Sequence, residues 1–206
     1  MDPILMAAST ITRLQGIVSR KVAPVDSAVV TVGSVHAGSK DNIIPARAEL
    51  LVNVRTFDSG VRRRVLDAIT RIVEAESAAS GAPKAPEISP VSTFPLTVND
   101  EPATARVRSA IGDALGQDRV LILPPTSGSE DFGLFGTTLG APSVFWFTGG
   151  VDPAETETYL EALARGALPE GAPGNHSPHF APCVEPAIEA GVRSLHAAAL
   201  AWLGHP

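Results

Sequence analysis

The spacing of apolar residues near the start of the chain predicts a helix that begins almost at once. Apolar residues recur at helical intervals from Ile4 to Val18. Asp2 is a suitable N-cap, and Pro3 suits the first helical position. Pro24 ends this element. One amphipathic helix is therefore expected before the periodicity changes.

The next apolar positions change to the alternating pattern of β-strands. Residues 28–35 are rich in β-branched side chains, and residues 49–57 alternate strictly. In the second stretch Asn53 and Arg55 are out of phase with the apolar residues, so their side chains should reach the opposite face. The pattern predicts two strands, and the side chains of Asn53 and Arg55 would lie together on one face of the second strand.

A second helix is predicted from about residue 60, with Gly81 just beyond its end. Residues 86–91 could form a further strand, although Pro86 and Pro90 would confine it to a sheet edge. The order helix, strand, strand, helix, strand is typical of a ferredoxin-like (split βαβ) unit that lacks its first strand.

The second half of the chain has the pattern of a buried α/β sheet. A third helix is predicted to begin at Asp100. The continuous apolar runs 120–123 and 143–147 are typical of strands covered on both faces. A long loop over 149–175 and a last helix over roughly 185–203 complete the pattern.

These elements predict the α/β (α+β) fold class and two domains. Residues 1–93 would form the ferredoxin-like unit, and residues 94–206 would form the C-terminal part of a doubly wound α/β domain. The second segment has too few strands to be a complete doubly wound domain by itself.

Composition and charge narrow the class of partner. The chain has 206 residues, a formal net charge of -6 and one cysteine, Cys183. The acidic balance and the absence of basic clusters argue against nucleic acid or an anionic membrane as a partner. The lone cysteine fits a reducing compartment, and no signal peptide or long apolar span is apparent. A cytoplasmic protein is expected.

One histidine is a candidate metal ligand. His176 lies in the turn Gly174–Pro178, where Asn175 and Ser177 could supply the hydrogen bonds that fix its tautomer. Imidazole is a common ligand of zinc and manganese. Most loop histidines bind no metal, however, and no His-x-His pair accompanies this one. The residues alone leave the question open.

The segment Gly128–Phe132 follows a predicted strand, at the end where open α/β sheets place their ligands. The hydroxyls of Ser127 and Ser129, or nearby backbone amides, could hold a substrate oxygen. Alternatively, Ser129 could be a helix N-cap, with Glu130 and Asp131 in the first turn. The residues do not decide between the two interpretations.

Asn42 and Arg55 lie thirteen residues apart. A guanidinium can hold a carboxylate through two parallel hydrogen bonds, and an asparagine amide can donate to a developing oxyanion. The alternative is a turn-forming asparagine and an ordinary surface arginine.

Together these segments resemble the hippurate-hydrolase and N-acyl-amino-acid amidohydrolase branch of the M20 metallopeptidases. The resemblance covers essentially the whole chain. The matching motifs are, in order, Asp2-Pro3-Ile4, Val18-Ser19-Arg20, residues 27–33, Asn42-Ile43-Ile44-Pro45, Val54-Arg55-Thr56-Phe57, Gly128-Ser129-Glu130-Asp131-Phe132 and His176-Ser177-Pro178.

The resemblance implies a catalytic α/β domain interrupted by a ferredoxin-like lid that also dimerises. His176 would be the final ligand of a divalent metal site, which holds zinc or manganese in the complete enzyme. Asn42 and Arg55 would grip the substrate's carbonyl and carboxylate, often across the dimer. The Ser129–Asp131 loop would form a wall on the substrate side.

The sequence also departs from the family pattern. Nothing in it matches the N-terminal catalytic segment that supplies the other metal ligands and the general-base glutamate. The places where relatives often carry an acidic pair hold Cys183 and Val184.

Two functions follow as hypotheses. The first is a metal-dependent amidohydrolase of N-acyl amino acids or similar small amides, of which this chain would be a truncated part, inactive alone. Its partner would be a second copy bound through the lid, or a missing N-terminal catalytic half. The alternative is a non-catalytic module that dimerises through residues 4–18 and 28–35, or that binds small carboxylates.

Overall fold

The computed structural model describes residues 1–126, 128–174 and 176–204, so Ser127 and Asn175 lie outside the described residues. The chain divides into two compact units. The first unit is Met1–Thr93 with Pro125–Ser129, and the second is Phe94–Pro124 with Glu130–Pro206. Within the described ranges, no helix is both long and apolar enough to cross a membrane.

Two short helices form where one was predicted. Helix α1 spans Pro3–Leu14 and helix α2 spans Gly16–Lys21. The predicted cap is confirmed, because the Ile4 N–H donates to Asp2 Oδ1 at 2.9 Å. The interruption falls at Gln15, immediately before Gly16, and glycine is a poor helix former. The first unit buries Leu14 and Ile17, one from each helix.

Strands β1 (Ala28–Ala37) and β2 (Ala48–Thr56) form an antiparallel hairpin. The predicted alternation of β2 is confirmed, because its even positions are half-buried and its odd positions are exposed. The apolar residues of the half-buried face pack on the helices below the sheet. The pairing is irregular between Val32 and Ser34, so Gly33 is an extra residue in β1.

Helix α3 spans Ser59–Ala79 and closes the core of the first unit. Its N-cap is Asp58, whose Oδ1 accepts from the Val61 N–H at 2.7 Å. Gly81 follows its end with a φ of 65°, as expected for a residue that leaves a helix. The buried core residues are Leu14, Ile17, Val61, Val65, Ala68 and Ile69.

The predicted strand over 86–91 was wrong. In the part of the chain that the structure describes, the sheet contains β1 and β2 and no third strand. Two prolines within six residues remove backbone donors that a ladder needs. The first unit therefore has the helix, strand, strand, helix order of the expected ferredoxin-like lid, and the mixed α/β class is confirmed.

The second unit contains four α-helices among its described residues. They are α4 (Glu101–Leu115), α5 (Gly133–Leu139), α6 (Thr156–Ala164) and α7 (Val184–Leu203). The predicted start of α4 and the predicted last helix are confirmed. The expectation of a plain loop over 149–175 was wrong, since α6 lies within it.

The two strands predicted at 120–123 and 143–147 were also wrong, since neither forms a ladder in the described structure. A strand is defined by the neighbour that pairs with it, and an apolar run alone does not supply one. Val120, Val144 and Trp146 instead pack against the core formed by α4 and α7.

Candidate functional site

The open face of the hairpin carries Arg55, which the sequence predicted to point away from the core. Arg55 pairs with Val29 in the register of the hairpin, and its side chain is exposed. Its Nε donates to Asn53 Oδ1 at 3.1 Å. Because Asn53 and Arg55 are two residues apart on one strand, they share a face, and the amide can orient the guanidinium.

Asn53 is a residue that sequence reasoning assigned to this face without giving it a role. The sequence contained enough information to identify Asn53. On a strand, a residue two positions from a candidate binding group lies next to that group on the same face. Its carboxamide oxygen contacts Nε, which is not at the end of the guanidinium fork. Asn53 is therefore a candidate positioning residue for Arg55.

Asn42 lies in the loop between the two strands, in an exposed turn. That loop joins Ala37 to Ala48, which pair with each other at one end of the hairpin. Arg55 lies near the other end of β2, seven residues after Ala48. At about 3.3 Å per residue, this strand segment is roughly 23 Å long.

The structure therefore does not bring Asn42 and Arg55 of one copy to the same small substrate. The carbonyl and carboxylate of an N-acyl amino acid are separated by only about one residue length, roughly 4 Å. Contact of one small molecule with both groups requires that they come from different copies of the chain.

The loop that contains Ser129, Glu130 and Asp131 does not begin a helix at Ser129. Helix α5 begins at Gly133, and Phe132 precedes it, so the alternative interpretation of Ser129 as an N-cap was wrong. Ser129 and Asp131 are exposed, whereas Glu130 is half-buried. The Phe132 N–H donates to Glu130 Oε2 at 2.7 Å, which holds that carboxylate against its own backbone.

Glu130 has a second carboxylate oxygen, Oε1, that is buried and has no hydrogen-bond partner in the described structure. The buried hydroxyl of Thr97 likewise has no hydrogen-bond partner in the described structure. Thr97 packs tightly on Gly133, where a Cβ would lie 3.0 Å from the threonine Oγ1. The neighbourhood of α5 thus contains two buried oxygens that could accept from a donor.

His176 lies exposed in a turn, as its sequence context predicted. The Ser177 N–H donates to the Gly174 carbonyl at 2.8 Å, which closes the turn around it. Ser177 Oγ accepts from the His179 N–H at 3.2 Å. The hydroxyl expected to orient the His176 ring thus accepts a hydrogen bond from the backbone of its own turn.

The candidate residues belong to different units. Asn42 and Arg55 lie in the first unit, and Glu130, Asp131 and His176 lie in the second. Over residues 1–126, 128–174 and 176–204, no three His, Cys, Asp or Glu side chains come together in a way that could hold a metal ion. The donor set described here does not by itself fit the divalent metal site that the resemblance implies, because a hydrolytic metal site needs several converging ligands.

Comparison with known proteins gives a family match for the first unit. Residues 1–80 match the family model of the peptidase dimerisation domain. The N-acetyl-L-cysteine deacetylase of Bacillus subtilis (strain 168) is 38% identical over 149 residues, which is 72% of this chain and 35% of that protein. Thermostable carboxypeptidase 2 of Saccharolobus solfataricus is 31% identical over 149 residues, covering 72% of this chain and 36% of the carboxypeptidase.

A solved structure matches nearly the whole chain. It is the YxeP protein of Bacillus subtilis, described as a dinuclear metal binding peptidase from the M20 family. The match has a TM-score of 0.60 at 24% identity and covers 98% of this chain and 46% of YxeP. The chain thus spans less than half the length of each of these three proteins.

Proposed function

The chain belongs to the M20 peptidase family, and from this premise we propose that it supplies the substrate-binding part of an amidohydrolase. The substrates would be N-acyl amino acids or similar small amides. N-acetyl-L-cysteine, named in one relative, is such a compound, with a carboxylate one carbon away from its amide nitrogen.

The observation that carries this proposal is the exposed Arg55 on the open face of the hairpin, oriented by Asn53. It lies within the stretch that matches the peptidase dimerisation domain. A guanidinium matches the geometry of a carboxylate and stays protonated at any physiological pH. Arg55 would bind the carboxylate of the substrate and fix the position of its amide bond.

Asn42 would donate from its side-chain amide to the carbonyl oxygen of the scissile bond, where negative charge develops. The length of the hairpin favours a dimer for this step, because the strand segment from Ala48, at the end of the loop that carries Asn42, to Arg55 is roughly 23 Å long. We infer that Asn42 of one copy and Arg55 of its partner contact the same substrate. Each hairpin would then serve two sites, one at each end.

The metal of such an enzyme would be held only in part by this chain. His176 would provide one ligand for zinc or manganese, since an exposed imidazole in a closed turn can coordinate without rearrangement of the backbone. Ser129, Glu130 and Asp131 would line the substrate side of the site. The remaining ligands would come from groups outside the residues described.

Titration of the 206-residue protein with hippurate, followed by NMR of the arginine side chains, tests this function. The Arg55 Nε–H signal should shift as hippurate is added. Arg55→Ala should weaken binding by about tenfold or more, the loss expected for a charge-assisted pair. Arg55→Lys should restore only part of the affinity, because the ammonium keeps the charge and loses the fork.

Arg63→Ala is the matched control, since Arg63 is also an exposed arginine of the first unit but lies on α3. This variant should bind hippurate as the parent does. An equal loss in both variants would indicate a general charge effect. Unchanged affinity in Arg55→Ala would remove Arg55 from the site.

A further inference from the structure

The loop between the two strands of the hairpin carries two large apolar side chains on its surface. Ile43 and Ile44, here named the isoleucine pair, directly follow Asn42 and are 61% and 65% exposed. In the part of the chain that the structure describes, neither is buried in the core of the first unit or packed against it. An aliphatic side chain left in water forgoes the stabilisation that burial would give. The core therefore does not account for two adjacent isoleucines in this loop.

The loop that carries the isoleucine pair is held at its base. The residues that flank it, Ala37 and Ala48, pair with each other in the hairpin. Gly38 has a φ of 72°, and a Cβ at this position would lie 3.6 Å from Ile4 Cδ1 and 3.9 Å from Pro45 Cγ. The base of the loop is thus packed between the first turn of α1 and its own proline.

Pro45 also restricts the backbone of the isoleucine pair. The ring of a proline disfavours the helical conformation of the residue before it, so Ile44 is limited to extended backbone angles. A surface whose backbone is already restricted loses less conformational freedom when it binds a ligand. The isoleucine pair is therefore suited to contact a small molecule.

The role proposed for Asn42 determines which part of a substrate lies beside this pair. In an N-acyl amino acid, the carbonyl carbon carries both the oxygen that Asn42 would bind and the first carbon of the acyl group. Standard bond lengths place that acyl carbon about 2.4 Å from the oxygen. Arg55 of the partner would hold the carboxylate, on the other side of the amide bond. The acyl group would therefore lie against the residues that adjoin Asn42.

The residues before Asn42 form a different kind of surface. A shallow hollow of about 270 Å³ lies at the base of the loop, and it is lined by Ile4, Ala37, Gly38, Ser39, Lys40 and Asp41. The charged groups of Lys40 and Asp41 are well solvated there, and an apolar group would displace their water without replacing its hydrogen bonds. The isoleucine pair is the better match for an apolar acyl group.

We propose that the isoleucine pair selects substrates with a large apolar acyl group. Ile43 and Ile44 contact this group while Asn42 binds the carbonyl oxygen to which it is joined. An aromatic or branched acyl group covers both side chains, whereas an acetyl group is too small to do so. The inference rests on the proposed function and adds to it a preference for the size and polarity of the acyl group.

Three ligands that share glycine and differ in the acyl group test this inference. They are hippurate, N-acetylglycine and N-succinylglycine, each titrated into the 206-residue protein while the Arg55 Nε–H signal reports binding of the carboxylate. Hippurate should bind about tenfold more tightly than N-acetylglycine, because its ring buries additional apolar area. Nuclear Overhauser contacts should join the ring protons of hippurate to the δ1 methyl groups of Ile43 and Ile44.

Replacement of both isoleucines should remove this difference between ligands. The double variant Ile43→Ala, Ile44→Ala should bind hippurate about tenfold more weakly and N-acetylglycine with unchanged affinity. Ile88→Ala is the matched control, because Ile88 is a 45% exposed isoleucine of the first unit outside the hairpin. It should bind each ligand as the parent does. Circular dichroism and sedimentation velocity verify the fold and the oligomeric state of each variant.

Equal affinities of hippurate and N-acetylglycine for the parent protein would overturn the inference and leave the proposed function intact. This comparison needs no variant, so it holds even if the double variant does not fold. A preference for N-succinylglycine that Lys40→Ala removes would place the acyl group in the polar hollow and also overturn the inference.

The remaining outcomes separate the isoleucine pair from its surroundings. An equal loss of affinity for hippurate and N-acetylglycine in the double variant, with a changed sedimentation coefficient, would assign the pair to a contact between copies and overturn the inference. If no ligand shifts the Arg55 signal, the proposed function itself fails, and the inference fails with it.

Discussion

At the scale of single residues, the hydrogen bond between Arg55 and Asn53 bears directly on the binding role proposed for the arginine. A long side chain on an open sheet face loses rotamer freedom when it binds a ligand, and that loss opposes binding. The 3.1 Å hydrogen bond from Arg55 Nε to Asn53 restricts those rotamers in advance. Asn53 should therefore affect affinity without touching the substrate.

Asn53→Ala should weaken hippurate binding by about threefold to tenfold, the usual contribution of one hydrogen bond. Asn53→Asp should recover only part of the loss, because its carboxylate still accepts from Nε but adds a negative charge beside the bound carboxylate. The NMR titration that follows Arg55 reports both the affinity and the exchange of its Nε–H. Equal affinities in the parent and Asn53→Ala would show that the hydrogen bond has no positioning role.

The sequence predicted the exposure of individual side chains better than their mutual placement. The strict alternation of β2 was sufficient to put Arg55 on the open face, because strand parity is a local property. It did not reveal that Asn42 lies at the far end of the hairpin, which follows from the pairing of Ala37 with Ala48. The contact of Glu130 with its own backbone likewise depends on loop geometry that composition does not encode.

At the scale of elements, the starts of α1, α3 and α4 agreed closely with prediction because capping is local. The Asp58 and Asp100 carboxylates each accept from the N–H three residues later, at 2.7 and 2.9 Å. The strands were less predictable, since a strand needs a partner strand to pair with. That partner is often distant in sequence, so the local pattern does not reveal it. Residues 143–147 illustrate this, because the side chain of Asn99 substitutes for that partner at the backbone of Phe145.

Asp58→Ala should lower the free energy of unfolding by about 1 kcal/mol, because it leaves the first turn of α3 without its side-chain acceptor. Urea unfolding followed by circular dichroism measures the change. Asp67→Ala in the middle of the same helix is the control, and it should be neutral or slightly stabilising because alanine favours helices. If the two variants behave alike, the cap contributes little to stability.

At the scale of the whole molecule, the chain has two units, each with its own core, and candidate groups in both. The first unit carries the groups proposed to bind the organic substrate. The second carries one proposed metal ligand, His176, and two residues proposed to line the substrate side, Glu130 and Asp131. Neither set amounts to a complete hydrolytic centre among the described residues.

The purified 206-residue protein should accordingly bind no stoichiometric zinc or manganese and should not hydrolyse hippurate. A single imidazole cannot hold a catalytic ion, which requires about three protein ligands. Elemental analysis after gel filtration measures the first quantity, and release of glycine measures the second. About two metal ions per chain, or turnover abolished by a chelator, would contradict this expectation.

The irregular pairing at Gly33 has a consequence for how such proteins diversify. An extra residue in one strand bends a hairpin and increases its twist, while the pairs on either side keep their partners. Gain or loss of one codon at this position would thus swing the loop that carries Asn42 and leave the Arg55 end in place. A single insertion or deletion would thus change the reach between the two ends of the hairpin without altering Asn42 or Arg55.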